Sequence, residues 1–270
     1  MDKQINIEET LDWYIWAGVD ETCANSVCLN SDDFAKIPEL HKLKNIQSAE
    51  STNNITKSFS EDIIAPTVNF DAITKNAKDI CESVSSIEEL EEIVKNFSGC
   101  ELKKRAASTI LGEGNHKARI VLIGEAPGAD EDRIGKPFVG RCGQLLNKML
   151  AAVNIKREDC YITNILPWRP PGNRTPTDEE IAICLPFLKK QLDIIEPDIL
   201  LLMGGVALKS LLDVNDSVSR MRGKWLEYTF SSGKKASVLA TFHPSYLLRS
   251  SIQKSKVWID LIRLKKKLDE

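Results

Sequence analysis

Three stretches of this sequence combine residues able to do chemistry with glycines and prolines that would hold them in loops. The first is Gly124-Glu125-Ala126-Pro127-Gly128-Ala129-Asp130-Glu131-Asp132, continuing through Gly135-Lys136-Pro137-Phe138-Val139-Gly140. Its glycines allow close backbone approach to a ligand, and a following helix N-terminus presents free N–H groups to an anion. It matches neither G-x-G-x-x-G nor G-x-x-x-x-G-K-[ST], so a dinucleotide or nucleoside triphosphate site is not supported. The second stretch, Thr163-Asn164 followed by Ile165-Leu166-Pro167-Trp168-Arg169-Pro170-Pro171-Gly172-Asn173-Arg174, places an amide before a stiff, basic loop. Asn offers both a donor and an acceptor, as reading a nucleobase edge requires, and the arginines suit a phosphate backbone. The third, His243-Pro244-Ser245-Tyr246-Leu247-Leu248-Arg249, brings together groups that could stabilise an oxyanion, wedge a base stack and grip a phosphate. Each has a plainer reading as well: a solvated acidic turn, a rigid surface turn and a structural histidine.

What positions these loops is an α/β pattern that begins after Cys100. Arg119–Gly124 is a continuous apolar run ending at glycine, as a buried parallel strand should be. Tyr161–Leu166, Ile199–Met203 and Val238–Phe242 read as further strands. Between and after them, 143–153, 176–195, a segment reaching Leu212, and 257–268 read as helices. The alternation predicts an α/β fold, three-layer αβα with a central, mostly parallel sheet. Ligands of such sheets bind beyond the carboxyl ends of the strands, where all three loops fall. Upstream, Ile7–Val19 reads as an amphipathic helix within an N-terminal segment 1–19, and 20–85 as a polar, acidic linker without periodicity. Ser86-x-x-Glu89 resembles a capping box that opens the folded domain, 86–270.

Composition narrows the function classes. The 270 residues carry a net charge of −3, but residues 1–99 hold 8 Lys and no Arg against 19 Asp+Glu, so the remainder is net +8. A basic globular half behind an acidic leader fits a polyanionic partner. No run of eighteen apolar residues is present, which predicts no membrane span, and the acidic start is unlike a secretory signal. Seven scattered Cys suit reduced thiols and a cytoplasmic location. Three His without H-E-x-x-H argue against a multi-histidine zinc hydrolase.

GEAPGADEDRIGKPFVG, TNILPWRPPGNRTPT and HPSYLLR, with Arg222-Gly223-Lys224-Trp225 between the last two, are together similar to the family 4 uracil-DNA glycosylases over about Gly99 to Leu268. The resemblance implies flipping of a nucleotide out of DNA and hydrolysis of its N-glycosidic bond, in base-excision repair. It implies that Phe138 stacks on uracil, Asn164 hydrogen-bonds its polar edge and rejects cytosine, and Glu131 crowds C5 against thymine's methyl. His243 would donate to uracil O2 as charge builds there, and Gly124, Glu125 and Ala126 would line the pocket. Related enzymes with a G-Q-D-P-Y motif carry Asp where this chain has Ala126, so water activation falls to Glu125 or Glu131. A departing uracil anion leaves that base with little to do. Arg174, Arg222 and Arg249 are the candidate phosphate contacts.

The same resemblance implies a [4Fe-4S] cluster on four Cys. Cys100 and Cys184 match two of those positions, but Phe97 and Trp168 stand at the other two. The expectation is therefore no cofactor, with aromatic packing in the cluster's place. Uracil-containing DNA is the expected partner of a monomer, and the N-terminal helix reads as tethered by a disordered acidic linker in preference to docking on the core or on a protein partner. The competing reading is a non-catalytic uracil- or DNA-binding module with a recruiting acidic arm. A covalent uracil-trapping relative would need an extra basic loop, for which Arg141-Cys142-Gly143 leaves no room.

Overall fold

The computed structural model describes residues 69–270. The helix expected at 7–19 and most of the linker expected at 20–85 lie outside the described residues. The end of that linker is a helix, α1 (Phe70–Glu82), capped by Asn69, whose Oδ1 accepts the Ala72 N–H at 3.0 Å. Helical structure is therefore present ahead of Ser86, from Phe70 onward. The helix escaped the sequence reading because its apolar stripe, Ile73, Ala77, Ile80 and Cys81, directly follows a Ser-, Asn- and Thr-rich stretch without periodicity. As expected, Ser86 caps α2 (Ile87–Asn96), accepting from the Glu89 N–H. A short helix, α3 (Glu101–Arg105), follows.

Six strands form one sheet: β1 (Gly112–Gly114), β2 (Ile120–Gly124), β3 (Cys160–Asn164), β4 (Ile199–Met203), β5 (Trp225–Thr229) and β6 (Lys235–Thr241), in the order β1-β3-β2-β4-β6-β5. The four central strands run parallel, and the two edge strands pair antiparallel to their neighbours. Both edges went unread for physical reasons. Gly-Glu-Gly has no apolar residue and is a strand only because it pairs with β3, while β5 is half exposed along its length.

Period-two alternation along the central strands builds two cores. Val121, Ile123, Leu200 and Leu202 face one side with Ala77 of α1, Leu90 of α2, Phe187 of α6 (Asp178–Ile195) and Leu208 of α7 (Gly205–Leu212). Ile120, Leu122, Leu201 and Met203 face the other with Leu146 of α5 (Arg141–Ala152), Leu247 of α9 (Pro244–Arg249) and Leu261 of α10 (Lys254–Leu268). Two shorter helices, α4 (Ala129–Ile134) and α8 (Val218–Met221), sit in the connections. This is the expected three-layer αβα arrangement. No helix of the described residues is long and apolar enough to cross a membrane.

Candidate active site

The parallel strands end together, and their loops enclose a cavity of about 290 Å³. Every pocket residue proposed from sequence except Gly124 lines it: Glu125, Ala126, Glu131, Phe138, Asn164 and His243 all face it, with Cys142, Ser245, Arg174 and Arg249 around the rim. Gly124 and Asn164 are register partners at the ends of β2 and β3. A Cβ at Gly124 would overlap both Asn164 Oδ1 and the Phe138 ring, so glycine is what lets the amide and the aromatic face share one floor. Asn164 is buried, and its Oδ1 has no hydrogen-bond partner among the described residues. A buried acceptor left open costs about 1–3 kcal/mol, which a ligand N–H entering the cavity would recover.

His243 stands at the N-cap of α9, held by Pro244 and Ser245. The Ser245 backbone N–H donates to its Nδ1 at 3.1 Å, and Ser245 Oγ lies 2.8 Å from the same atom. A backbone N–H can only donate, so Nδ1 is the acceptor and the neutral ring carries its proton on Nε2. Burial, helped by the Arg249 charge, holds His243 in that neutral form by lowering its pKa from 6.5 to about 4. The ring lies 5.7 Å from that of Phe138, centroid to centroid.

The two carboxylates divide. Glu131 Oε1 accepts from the N–H groups of Val139 (3.0 Å) and Gly140 (2.9 Å), and Oε2 accepts from Gly128 (3.1 Å). Its oxygens fasten the two halves of the first loop together and are poorly placed to activate water. Glu125 makes no side-chain hydrogen bond among the described residues, and burial raises its pKa.

The candidate phosphate contacts also divide. Arg249 is exposed at the rim with no side-chain hydrogen bond or ion pair among the described residues. Arg174 lines the rim but is bidentate to Glu180, at 2.8 and 2.6 Å. Arg222 is paired within the fold: its guanidinium grips Asp260 at 3.0 and 2.8 Å and lies over the Phe242 ring. Asp260 is fully buried and also accepts from Thr241 Oγ1 at 2.8 Å, so the pair ties α10 to the end of β6 just before His243.

The model of the uracil DNA glycosylase superfamily matches residues 111–262. The type-4 uracil-DNA glycosylase of Thermotoga maritima is 46% identical over 168 residues, 60% of this chain and 85% of that protein. Those of Archaeoglobus fulgidus and Pyrobaculum aerophilum are 43% and 35% identical over 169 and 179 residues, covering 60% and 65% of this chain and 84% and 91% of theirs. The chain belongs to the type-4 uracil-DNA glycosylases.

In this type-4 glycosylase the four cluster positions come together, but their side chains do not suit a cluster. Phe97 and Trp168 stack with centroids 6.4 Å apart and planes at 15°, and Phe187 packs edge-on against both. Trp168 is fully buried, with Nε1 donating to Thr109 Oγ1 at 2.9 Å. Cys100 and Cys184 are buried in hydrogen-bond contact, which lowers the Cys100 thiol's pKa while burial raises that of Cys184. Two thiols beside closely packed rings do not fit a four-thiolate group. Among the described residues, no cluster of three or more His, Cys, Asp or Glu is placed to hold a metal ion.

Two residues of this glycosylase that the sequence reading missed are Arg157 and Glu113, which sit behind the Phe138 loop. Neither belongs to a motif, and neither is close to Phe138 along the chain; the pairing of β1 with β3 brings Glu113 there, and the short turn leading into β3 brings Arg157.

Proposed function

We propose that the pocket receives a uracil flipped from DNA and that the chain hydrolyses its N-glycosidic bond, leaving an abasic site for base-excision repair. The unpartnered Asn164 Oδ1 carries this reading. It matches uracil N3–H, whereas cytosine presents a lone pair at N3 and would leave two acceptors facing each other. Phe138 stacks on the ring, and the Glu131 side chain limits the room at C5. As the C1′–N1 bond breaks, its electrons pass into the base, and charge builds on O2 facing His243 Nε2–H. The donor is neutral and already oriented, so it stabilises the leaving anion without giving up its proton. Water then adds at C1′ and releases a proton, for which Glu125 is the available acceptor. Arg249, with Arg174, would hold the flanking phosphates.

The chain is proposed to act as a monomer, since every group in this scheme comes from one copy. It is proposed to work without an iron–sulfur cluster, as the stacked Phe97 and Trp168 support. Iron analysis and a spectrum near ~400 nm on anaerobically purified protein test that statement. The activity is tested by alkali cleavage of oligonucleotides carrying U·G, U·A or single-stranded uracil. Binding of these oligonucleotides without strand cleavage after alkali would replace the enzyme by a recognition module.

A further inference from the structure

Phe138, the residue proposed to stack on uracil, has φ +51°. This left-handed conformation is unfavourable for a bulky side chain and persists only where its surroundings enforce it. The chain folds this way because the next helix starts directly beneath: a Cβ at Gly143 would overlap the Phe138 carbonyl. Glycine grants the space but supplies no force. The N–H groups that follow, of Val139 and Gly140, are held by Glu131. The carbonyls that precede them are held by another group. Arg157 donates from Nη2 to Pro137 O at 2.8 Å and from Nη1 to Phe138 O at 3.3 Å.

Arg157 is itself fixed on two sides. Nη1 donates to Asn147 Oδ1 on α5 at 2.9 Å, and Nη2 donates to Glu113 Oε2 on β1 at 3.2 Å. Glu113 also pairs with Lys136 at 2.7 Å, one residue before Pro137. The strained peptide is thus clamped from both faces, by a carboxylate on its N–H groups and a guanidinium on its carbonyls. A planar fork suits the second task, because two adjacent carbonyls need donors in fixed relative positions.

We infer that Arg157, oriented by Glu113, is a positioning residue for base recognition: it holds the Phe138 peptide in its left-handed turn so that the ring lies flat against uracil. Neither residue touches the base. The inference rests on the pocket being a uracil site.

The test measures kcat, KM and inhibition by free uracil for the parent protein and for Arg157→Ala, Arg157→Lys and Glu113→Gln, with the active fraction determined for each. Free uracil probes the base site alone, without DNA contacts. Arg157→Ala is expected to raise KM and the uracil inhibition constant together, by about tenfold, the size of one lost charge-assisted hydrogen bond. Arg157→Lys, which keeps the charge but loses the planar fork, should recover part of that loss, and Glu113→Gln should produce a smaller shift in the same direction. Should Arg157→Ala fail to fold, the other two variants still decide. Unchanged KM and uracil inhibition per active molecule, with only a lower melting temperature, would make the clamp merely structural and overturn the inference. Absence of excision by the parent would instead remove the uracil-site reading.

Discussion

The neutral state of His243 makes a prediction that pH can test. Its pKa falls from 6.5 to about 4 in the folded protein, chiefly through burial. Between those values the unfolded chain takes up a proton that the folded chain refuses. The native state therefore has the full benefit of the neutral ring above pH 6.5 and loses it as pH falls towards 4. At 1.36 kcal/mol per unit the loss is about 3 kcal/mol, a large part of a domain's stability. Catalysis follows the same protonation state. As a fixed Nε2–H donor, His243 needs no titration near neutrality, so kcat/KM should be flat through pH 6.5 and fall only in the acid range. Glu125 adds an acid limb of its own, because burial raises its pKa and it must be ionised to accept a proton. Glu125→Gln should remove that limb at modest cost in rate, whereas His243→Ala should cost about 10²–10³ in kcat, as losing one oxyanion donor does. The assay is single-turnover excision across pH on the parent and both variants, alongside urea unfolding at pH 7.5 and 5. A rate limb centred near 6.5 that disappears in His243→Ala would refute the neutral-donor argument, as would a larger loss in Glu125→Gln than in His243→Ala.

Asn164→Ala should reduce kcat/KM on uracil by about 10–100-fold while leaving binding to undamaged DNA unchanged, measurable by excision and fluorescence anisotropy. Arg249→Ala should lower the salt slope of DNA binding by about one, as losing one phosphate contact does. Arg222→Ala should leave that slope alone and destabilise the fold by about 3–5 kcal/mol in urea melts, because it strands the buried Asp260. Removing residues 1–68, which carry 5 Lys against 12 Asp+Glu, should tighten DNA binding at low salt, with the difference vanishing at high salt; equal affinity at low salt would deny the arm a screening role.

Legibility in the sequence followed the strength of the local signal. β4 (Ile199–Met203) was read to the residue because a strand buried on both faces must be apolar at every position. β1 was invisible because its three residues owe their conformation to partners 47 to 51 positions later, in Cys160–Asn164. Helix α1 was obscured because its apolar stripe, Ile73 and Ile80 with Ala77 and Cys81, follows directly on a polar stretch without periodicity. The site divides similarly. Phe138, Asn164 and His243 were singled out because they sit within recognisable motifs, Asn164 at the end of β3 and His243 just past β6. The pairing of Arg222 was not legible, because an arginine's charge can be read from a sequence, whereas the group that neutralises it, here Asp260 from α10, cannot.

The sequence by itself determined the parallel α/β layers, the three loops that meet at the strand ends, the residue types that line the cavity between them, and the aromatic pair in place of two thiolates. These follow from periodicity, motif and residue identity, all of which are local. Only the tertiary structure decided which charges remain free and which are consumed. Arg249 reaches the rim, Arg174 and Arg222 are paired, Glu131 is tied to three backbone N–H groups, and Arg157 grips the loop behind Phe138. Electrostatic roles depend on partners distant in sequence and on burial, and both exist only once the chain has folded.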